Sequence, residues 1–272
     1  MFDPKKKEKR AELSQNFLKN PSQGKYLVEL AGIGANDSIL EIGPGEGALT
    51  ESLLNKAQKV VAVEKDPEMV ELLKQKFEPN PKLQIFEADI LHFKIELSNY
   101  KVFANPPFSI SSALVKRIAF IPNAPSEIYL FLQKEFANRI IAKHYNTQLA
   151  VLLKSFYSIK TIYEFKREDF SPVPNVSVVM VQFKRLDKPK INPENQKNFT
   201  KFVSYGFASQ KSYLEKNYEK IFTHEQWKKL SKTLGFAPKA LILELTHEQW
   251  IGLFEAFISP LVSIDKKMIV LG

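Results

Sequence analysis

The residues best suited to chemistry in this chain form the short stretch Asn105-Pro106-Pro107-Phe108. Two consecutive prolines hold the amide in a rigid loop, because proline fixes φ and removes a backbone donor. The preceding segment, YKVFA, is apolar and predicts a buried strand. Asn105 is therefore expected just beyond the carboxyl end of a strand, where ligands bind in open α/β sheets. For the tetrapeptide alone, a side-chain-capped turn with a packed Phe108 is the alternative.

A glycine turn and two acids are expected at neighbouring strand ends. The stretch EIGPGEG places Gly43, Gly45 and Gly47 between a strand and a helix, so that the backbone can approach a ligand closely. The spacing differs from the dinucleotide fingerprint G-x-G-x-x-G. Glu64 and Asp89 end the next two predicted strands. Their positions suit the hydroxyls of a ribose and the amino group of an adenine.

These acids predict an adenosyl cofactor that carries no pyrophosphate. Ile90 follows Asp89 and is expected beside the adenine ring. We interpret the set as a site for S-adenosylmethionine. Glu64, Asp89 and Asn105 would then meet at one edge of the sheet, together with the glycine turn.

Asn105 has a defined task in such a site. The exocyclic amine of adenine is a poor nucleophile, because its lone pair is delocalised into the ring. The Asn105 side-chain oxygen and the Pro106 carbonyl can both accept hydrogen bonds from this amine and align it with a methyl donor. Phe108 can stack on an extruded base. We therefore predict Asn105, Pro106 and Phe108 as the catalytic residues, with no metal.

The elements that position these residues alternate between strand and helix. Five strands, each leading into a loop or a helix, are predicted before residue 141, and this pattern is typical of a parallel doubly wound sheet. The segments LLKSFYSIKTIYEF and VSVVMVQFKR are β-rich and could form a hairpin. Residues 196–258 are predicted to be helical, with turns near Gly235 and Pro238. The repeated THEQW, at 223–227 and 246–250, predicts two helices that begin with a capping box.

Three regions follow from this pattern: a basic tail over residues 1–13, an α/β catalytic domain over 14–187 and a smaller helical lobe over 188–272. The formal net charge is +9. The excess lies in residues 1–10 and 184–240, whereas residues 11–183 carry equal numbers of both signs. A polyanion that contacts the basic regions would explain this distribution, and a solubilising surface is the alternative.

The remaining composition excludes several classes of protein. The chain has no cysteine, so it has neither disulfides nor thiolate metal sites. No apolar run reaches the length of a membrane span, and the first ten residues lack the apolar core of a signal peptide. The four histidines show no ligand spacing. We expect a cytoplasmic monomer that binds no metal and no membrane, with Trp227 and Trp250 in a helical core.

The chain resembles the rRNA adenine N6-dimethyltransferases, which include the KsgA-type enzymes of small-subunit RNA and the Erm enzymes of large-subunit RNA. The resemblance covers almost the whole chain. It is carried in order by SQNFL, EIGPGEGALT, VEKD, ADIL, NPPFSIS, LQKEFANRI and FSPVPNVSVV. It implies a Rossmann-like class I methyltransferase fold that uses S-adenosylmethionine. The C-terminal helices look like those of Erm, and FASQKSYL stands where the KsgA group usually has Arg-Arg-Lys.

The resemblance also implies roles for single residues. Asn105 bridges to the target base, Phe108 and Phe170 flank it, and Arg139 contacts RNA; filling an interior position is the alternative for Phe170. The cofactor is held by Asn16 and Leu18 from a segment that folds over it, by Gly43 beside its methionine part, by Glu64 at the ribose, and by Asp89 with Ile90 at the adenine. From the charge distribution we add Lys166, Arg167 and Lys211 as contacts to RNA phosphates.

Three functions are compatible with these observations. The first is methylation of N6 of one adenine in 23S rRNA or its precursor, which would confer resistance to macrolides, lincosamides and streptogramin B. The second is a KsgA-type reaction on 16S rRNA. The third is a non-catalytic nucleic-acid-binding protein on a methyltransferase fold. Pro106 stands where the family usually has Leu or Ile, and Asn-Pro-Pro-Phe is typical of DNA adenine methyltransferases, so DNA is a further possible substrate.

Overall fold

The computed structural model describes residues 17–144, 146–208 and 213–272. Asn16, Lys211 and the predicted basic tail over residues 1–13 lie outside the described residues. The chain divides into two compact units, one of Met1–Ala137 with Ile159–Arg185 and the other of Asn138–Ser158 with Leu186–Gly272. In this division residues 138–158 group with the C-terminal region. The boundary at residue 187 stays a prediction.

A seven-stranded, mostly parallel sheet forms the centre of the first unit, which confirms the predicted fold class. Its strands are β2 Ser38–Ile42, β3 Lys59–Glu64, β4 Leu83–Glu87, β5 Tyr100–Ala104, β6 Glu127–Gln133, β7 Tyr157–Glu164 and β9 Val178–Arg185. Their order across the sheet is β4-β3-β2-β5-β6-β9-β7. Strands β4, β3, β2, β5 and β6 run parallel, and β9 pairs antiparallel with β6.

Two short strands form a separate antiparallel pair in the same unit. Strand β1 (Phe17–Leu18) pairs with β8 (Phe170–Ser171), so that Leu18 lies opposite Phe170. The Lys19 N–H also donates to the Asp169 carbonyl at 2.9 Å. The two late β-rich segments were predicted to form a hairpin. They form β7 and β9, which are neighbours in the sheet, but β8 lies between them in the chain. The LLK at the start of the first segment belongs to a helix, which corrects the strand prediction there.

The helices that accompany these strands are α1 Pro21–Leu30, α2 Ala48–Lys56, α3 Pro67–Phe77 and α4 Ser111–Ala119, and α5 Lys134–Ile141 continues from β6 across the boundary of the two units. Helices α2, α3 and α5 were predicted, whereas α1 and α4 were not. Asp66 caps α3 by accepting from the Glu68 N–H at 2.9 Å, and Pro67 occupies the first turn. The buried face of α3 consists of Met69, Val70 and Leu73.

The strand register brings the candidate site together. Ile42 of β2 lies beside Val63 of β3 on one side and beside Ala104 of β5 on the other. Because these strands are parallel and end in register, the residues that follow them emerge at the same edge of the sheet. The glycine turn, Glu64 and Asn105 therefore converge without any long-range bending of the chain.

The second unit is helical. Its helices are α6 Gln148–Lys154, α7 Gln196–Ala208, α8 Leu214–Asn217, α9 His224–Leu234, α10 His247–Ile258 and α11 Ile264–Leu271. Trp227 and Trp250 are buried, which confirms the prediction that they belong to a core. The Phe202 ring lies within 6 Å of the rings of Tyr218, Phe254 and Phe257. Aromatic side chains dominate this interior.

Both predicted capping boxes are present. The Thr223 hydroxyl accepts from the Gln226 N–H at 3.2 Å, and the Gln226 side chain accepts from the Thr223 N–H at 2.9 Å. Thr246 and Gln249 repeat this exchange at 3.3 and 2.8 Å. Each box satisfies two backbone donors at the start of a helix, so α9 and α10 begin where the repeated THEQW predicts.

A buried histidine lies at the start of α10. His247 Nε2 is 2.9 Å from the Ser155 hydroxyl, which in turn donates to the Val151 carbonyl at 3.2 Å. Lys190 Nζ lies 3.5 Å from His247 Nδ1. These contacts fit a neutral imidazole that carries its proton on Nε2 and accepts at Nδ1. Burial, helped by Lys190, lowers the pKa of His247 to about 4, although the Glu248 carboxylate acts in the opposite direction.

The first prediction concerns acid stability. A histidine whose pKa lies near 4 in the folded protein and near 6.5 when unfolded favours folding fully above pH 6.5, and this contribution is lost as the pH falls towards 4. We expect His247→Gln to flatten the decline in the free energy of unfolding between pH 6.5 and 4, measured by denaturant titration. The exposed His144 offers the control: His144→Gln should keep the wild-type decline. Equal pH profiles for the wild type and His247→Gln would contradict the assignment.

Candidate active site

A cavity of about 500 Å³ opens at the carboxyl edge of the sheet in the first unit. Its volume lies in the range of small-molecule sites. Four loops that follow successive strands supply most of the wall, and β1 supplies the rest. The lining includes Phe17, Leu18, Gly43, Glu46, Glu64, Lys65, Asp89, Ile90, Asn105 and Pro106.

The glycine turn after β2 has the left-handed backbone that its sequence predicts, with φ of 66° at Gly43 and 55° at Gly45. A Cβ added at Gly45 would collide with the Phe17 ring, so β1 packs directly on the turn. A Cβ at Gly43 would lie 3.8 Å from the Asn105 carbonyl oxygen, an ordinary van der Waals distance. Glycine is therefore required at Gly45 by both its backbone and its surroundings, and is favoured at Gly43 by its positive φ.

Glu64 ties the turn to the end of β3. Its side chain is buried, and Oε2 accepts from the Gly45 N–H at 3.1 Å. Oε1 accepts from the N–H groups of Lys65 at 2.8 Å and Asp66 at 3.0 Å. A carboxylate has about four acceptor positions. Three are used by the chain itself, and because Glu64 also lines the cavity, the remaining capacity can serve a donor on a bound ligand.

Asp89 is held by two partners at the end of the third strand. Oδ1 accepts from the Leu91 N–H at 3.0 Å, and Oδ2 pairs with Lys65 Nζ at 2.9 Å. The hydrogen bond from Lys65, followed by the one from Leu91, lowers the pKa of Asp89. Asp89 is therefore an ionised acceptor at neutral pH, beside the buried Ile90. The role of Lys65 was missed in the sequence, where only its position directly after Glu64 indicated it.

The Asn105 loop divides between the cavity and the core. Asn105 and the buried Pro106 line the cavity, and their catalytic role stays a prediction. Phe108 begins a single 3₁₀ turn before α4 and packs against the hydrophobic core of the first unit. It does not line the cavity. Stacking of Phe108 on a base therefore stays a prediction that this arrangement does not support.

Glu41 is a second acid near the turn, and sequence reasoning missed it. It lies in β2 between Ala62 and Phe103 of the neighbouring strands and is buried. Neither carboxyl oxygen has a hydrogen-bond partner among the described residues. Burial raises the pKa of Glu41 to about 8. The nearby Thr50 hydroxyl, which also has no hydrogen-bond partner among the described residues, acts in the opposite direction, and the negative charge of Glu64 supports the increase. The available signal was a charged residue inside the otherwise apolar strand SILEI.

The second prediction tests the charge state of Glu41. The pKa of a glutamate is about 4.5 in the unfolded chain, so a folded-state pKa near 8 means that the stability present below pH 4.5 is lost as the pH rises to about 8. We expect Glu41→Gln, which keeps the shape of the neutral acid, to equal the wild type near pH 4.5 and to exceed it in free energy of unfolding at pH 8. Glu51→Gln, on the exposed face of α2, is the matched control and should follow the wild type. Parallel curves for Glu41→Gln and wild type would show that Glu41 is ionised.

The residues that were predicted to contact the substrate differ in their exposure to solvent. Phe170 is fully buried and packs on Phe165 with ring centroids 5.0 Å apart. A base can reach it only if β8 moves, so the interior alternative describes this structure. Lys166 and Arg167 are exposed, and Arg167 Nε donates to the Pro174 carbonyl at 2.7 Å. Their contact with RNA stays a prediction.

Three further residues that were predicted to contact the cofactor or RNA are not part of the described lining of the cavity. Arg139 is exposed on α5 and belongs to the second unit. Asn16 and Lys211 lie outside the described residues. Roles in cofactor or RNA binding therefore stay predictions for all three.

Within residues 17–144, 146–208 and 213–272, no group of three or more His, Asp or Glu side chains is placed to hold a metal ion. No helix there combines the length and the hydropathy that a membrane crossing needs.

Comparison with known proteins identifies related sequences. The family model "Ribosomal RNA adenine dimethylase" matches residues 6–259. The "Ribosomal RNA small subunit methyltransferase A" of Geobacter sulfurreducens is 36% identical over 216 residues, which cover 75% of this chain and 78% of that protein. The "rRNA adenine N-6-methyltransferase" of Limosilactobacillus reuteri is 29% identical, over 90% of this chain and 95% of that protein.

Solved structures have the same fold. The 23S rRNA methyltransferase ErmE superposes with a TM-score of 0.78 at 23% identity, over 90% of this chain and all of that chain. A dimethyladenosine transferase from Plasmodium falciparum superposes with a TM-score of 0.73 at 22% identity, over 93% of this chain and 98% of that chain. The similarity thus extends over the helical C-terminal region as well as the α/β unit.

Proposed function

The chain belongs to the ribosomal RNA adenine dimethylase family, and we propose that it methylates N6 of a single adenine in 23S rRNA or its precursor. It is an rRNA adenine N6-methyltransferase that uses S-adenosylmethionine; the proposal is the choice of RNA. The physiological consequence that we propose is resistance to macrolides, lincosamides and streptogramin B. We further propose that it acts as a cytoplasmic monomer.

One observation carries the catalytic part of the proposal: Glu64, Asp89 and Asn105 line the same cavity. The two carboxylates are fixed at successive strand ends, where the ribose and the adenine of an adenosyl cofactor would bind. The Gly43 backbone, which has no side chain to obstruct it, lies where the methionine part would pass. A protein that only bound nucleic acid would need neither carboxylate in this position.

Within this site the cofactor supplies the methyl group as an electrophile. The chain binds its adenosyl end through Glu64 and Asp89 and keeps the β1 segment over the glycine turn. Asn105 Oδ1 and the Pro106 carbonyl accept hydrogen bonds from the amino group of the target adenine. These bonds orient the nitrogen lone pair, and the amine loses its proton to solvent once it has been alkylated. Alignment rather than a strong base provides most of the rate.

The helical region over residues 188–272 and the tail over 1–13 are proposed to bind the rRNA backbone. The supporting observation is charge: residues 184–240 carry thirteen Lys or Arg and five acids. Lys216 and Lys220 are exposed in the second unit. Phosphate contacts of this kind position an RNA without reading its sequence.

The choice of 23S rRNA is supported by FASQKSYL, which stands where the KsgA group usually has Arg-Arg-Lys. A second candidate, adenine methylation in 16S rRNA, is favoured by a different observation. The relative from Geobacter sulfurreducens is named a small subunit methyltransferase, and it is 36% identical. Pro106 keeps DNA as a third substrate to be tested.

A direct experiment separates these candidates. Purified protein is incubated with labelled S-adenosylmethionine and with protein-free 23S rRNA, protein-free 16S rRNA or duplex DNA. Primer extension then locates the modified adenine. We expect incorporation into one adenine of 23S rRNA. Incorporation into 16S rRNA alone would transfer the assignment to the second candidate, and incorporation into DNA alone would reject both.

The third prediction concerns Asn105. Asn105→Ala should lower turnover at least 100-fold, because a contact to the reacting group in the transition state is worth about 3–4 kcal/mol. The dissociation constant of S-adenosylmethionine should change by no more than a few-fold, since Glu64 and Asp89 remain. Asn55, exposed on α2, provides the control, and Asn55→Ala should retain wild-type turnover. Normal turnover in Asn105→Ala would show that the Asn-Pro-Pro-Phe loop does not act on the amine.

A further inference from the structure

Tyr26 is an aromatic side chain that the structure leaves in solvent. It lies on α1, where Leu27 and Val28 are fully buried while Tyr26 is 51% exposed. Phe86, at 41%, and Tyr213, at 40%, have less of their surface in solvent. Tyrosine exposes a large apolar ring at a cost in free energy, so an exposed ring is a frequent feature of binding surfaces.

Tyr26 is the outer end of a row of rings that leads into the first unit. Its ring centroid lies 5.7 Å from that of Tyr163, which lies 4.9 Å from Phe165. Phe165 lies 5.0 Å from Phe170. At the inner end, the Phe165 ring also packs on the Phe131 ring, with centroids 4.7 Å apart. Tyr26 therefore rests on an ordered support rather than standing alone on the surface.

The inner end of this row lies against the wall of the cavity. Phe170 pairs with Leu18 across the β1 and β8 strands, and Leu18 lines the cavity. The row thus connects the place where the cofactor binds with an exposed ring on the same unit. A strand of RNA that delivers an adenine to the cavity must also contact the surface of this unit, and Tyr26 is the exposed end of the row.

Exposed lysines are chain neighbours of the residues in this row. Lys25 precedes Tyr26 in α1, and Lys166 follows Phe165. Glu29, the acid one turn further along α1, is paired with Lys56 at 3.3 Å. An aromatic side chain accompanied by lysines suits single-stranded RNA, because the ring can stack on a base and the ammonium groups can contact phosphates.

We propose that Tyr26 binds the rRNA substrate by stacking on a base that flanks the target adenine. The inference rests on the proposed function, in which an rRNA adenine enters the cavity. Tyr163 supports the ring from behind, and Lys25 contacts the adjoining phosphate. Because every base has a face that can stack, this contact adds affinity and holds the flanking strand without selecting its sequence.

The experiment compares Tyr26→Ala, Tyr26→Phe and Tyr26→Trp with the wild type. Leu30→Ala is the matched control, since Leu30 is an exposed apolar residue on the same helix. For each variant, KM for protein-free 23S and 16S rRNA and kcat are measured with labelled S-adenosylmethionine. Cofactor affinity is measured by calorimetry, and RNA affinity by fluorescence anisotropy with the same transcripts. Tyr26→Trp adds a fluorescent reporter at the stacking position.

We expect Tyr26→Ala to raise KM for the methylated rRNA about tenfold, with kcat and cofactor affinity within twofold of the wild type. Tyr26→Phe and Leu30→Ala should stay within twofold. RNA should quench the added fluorescence of Tyr26→Trp. An unchanged RNA affinity in Tyr26→Ala, or an equal loss in Leu30→Ala, would overturn the proposal.

The failure of this inference is distinguishable from the failure of the proposed function. If the wild type methylates neither rRNA, the proposed function is wrong, and anisotropy with the same transcripts still decides whether Tyr26 contacts RNA. If the wild type methylates rRNA and Tyr26→Ala keeps the wild-type KM and affinity, only the role of Tyr26 is rejected.

Discussion

The hydrogen bonds of the Glu64 carboxylate are the interaction on which the cavity depends. One oxygen accepts from the Gly45 N–H and the other from the N–H groups of Lys65 and Asp66. These three donors belong to two loops that are adjacent only because β2 and β3 are parallel and end in register. A buried carboxylate without such donors would be costly, so the turn and the acid stabilise each other. The shape of the cavity is therefore present in the protein alone.

The same arrangement sets the charges around the cavity. The ionised Asp89 is held by Lys65, which directly follows Glu64 in the chain. On the interior side, Glu41 has no hydrogen-bond partner among the described residues, and burial raises its pKa to about 8. Asp89 and Glu41 thus have pKa values shifted in opposite directions, because Asp89 receives hydrogen bonds and Glu41 receives none among the described residues. A neutral Glu41 limits the negative charge near the place where we propose that a cationic methyl donor binds.

The sequence predicted what depends on local patterns. The strand-end positions of Glu64, Asp89 and Asn105 follow from apolar runs that end at a polar residue, and the Asp66 and Thr223 caps follow from their spacing to the next polar residues. The LLK at residues 152–154 was wrongly assigned to a strand, because a short apolar run is compatible with either structure. The pairing of β1 with β8 and the contact of Lys65 with Asp89 could not be predicted. Each joins residues far apart in the chain, and no local pattern records such a contact.

Titration with S-adenosylhomocysteine, the demethylated cofactor, tests the central role of Glu64 most directly. Calorimetry is carried out on the wild type, on Glu64→Gln and on Glu46→Gln, whose side chain lines the same cavity. A glutamine has one acceptor oxygen where the carboxylate has two, and its amide would face a backbone donor. We expect Glu64→Gln to bind at least tenfold more weakly and to lose hydrogen-exchange protection at the Gly45 amide. Glu46→Gln should bind within about twofold of the wild type. Wild-type affinity together with wild-type protection in Glu64→Gln would contradict the account.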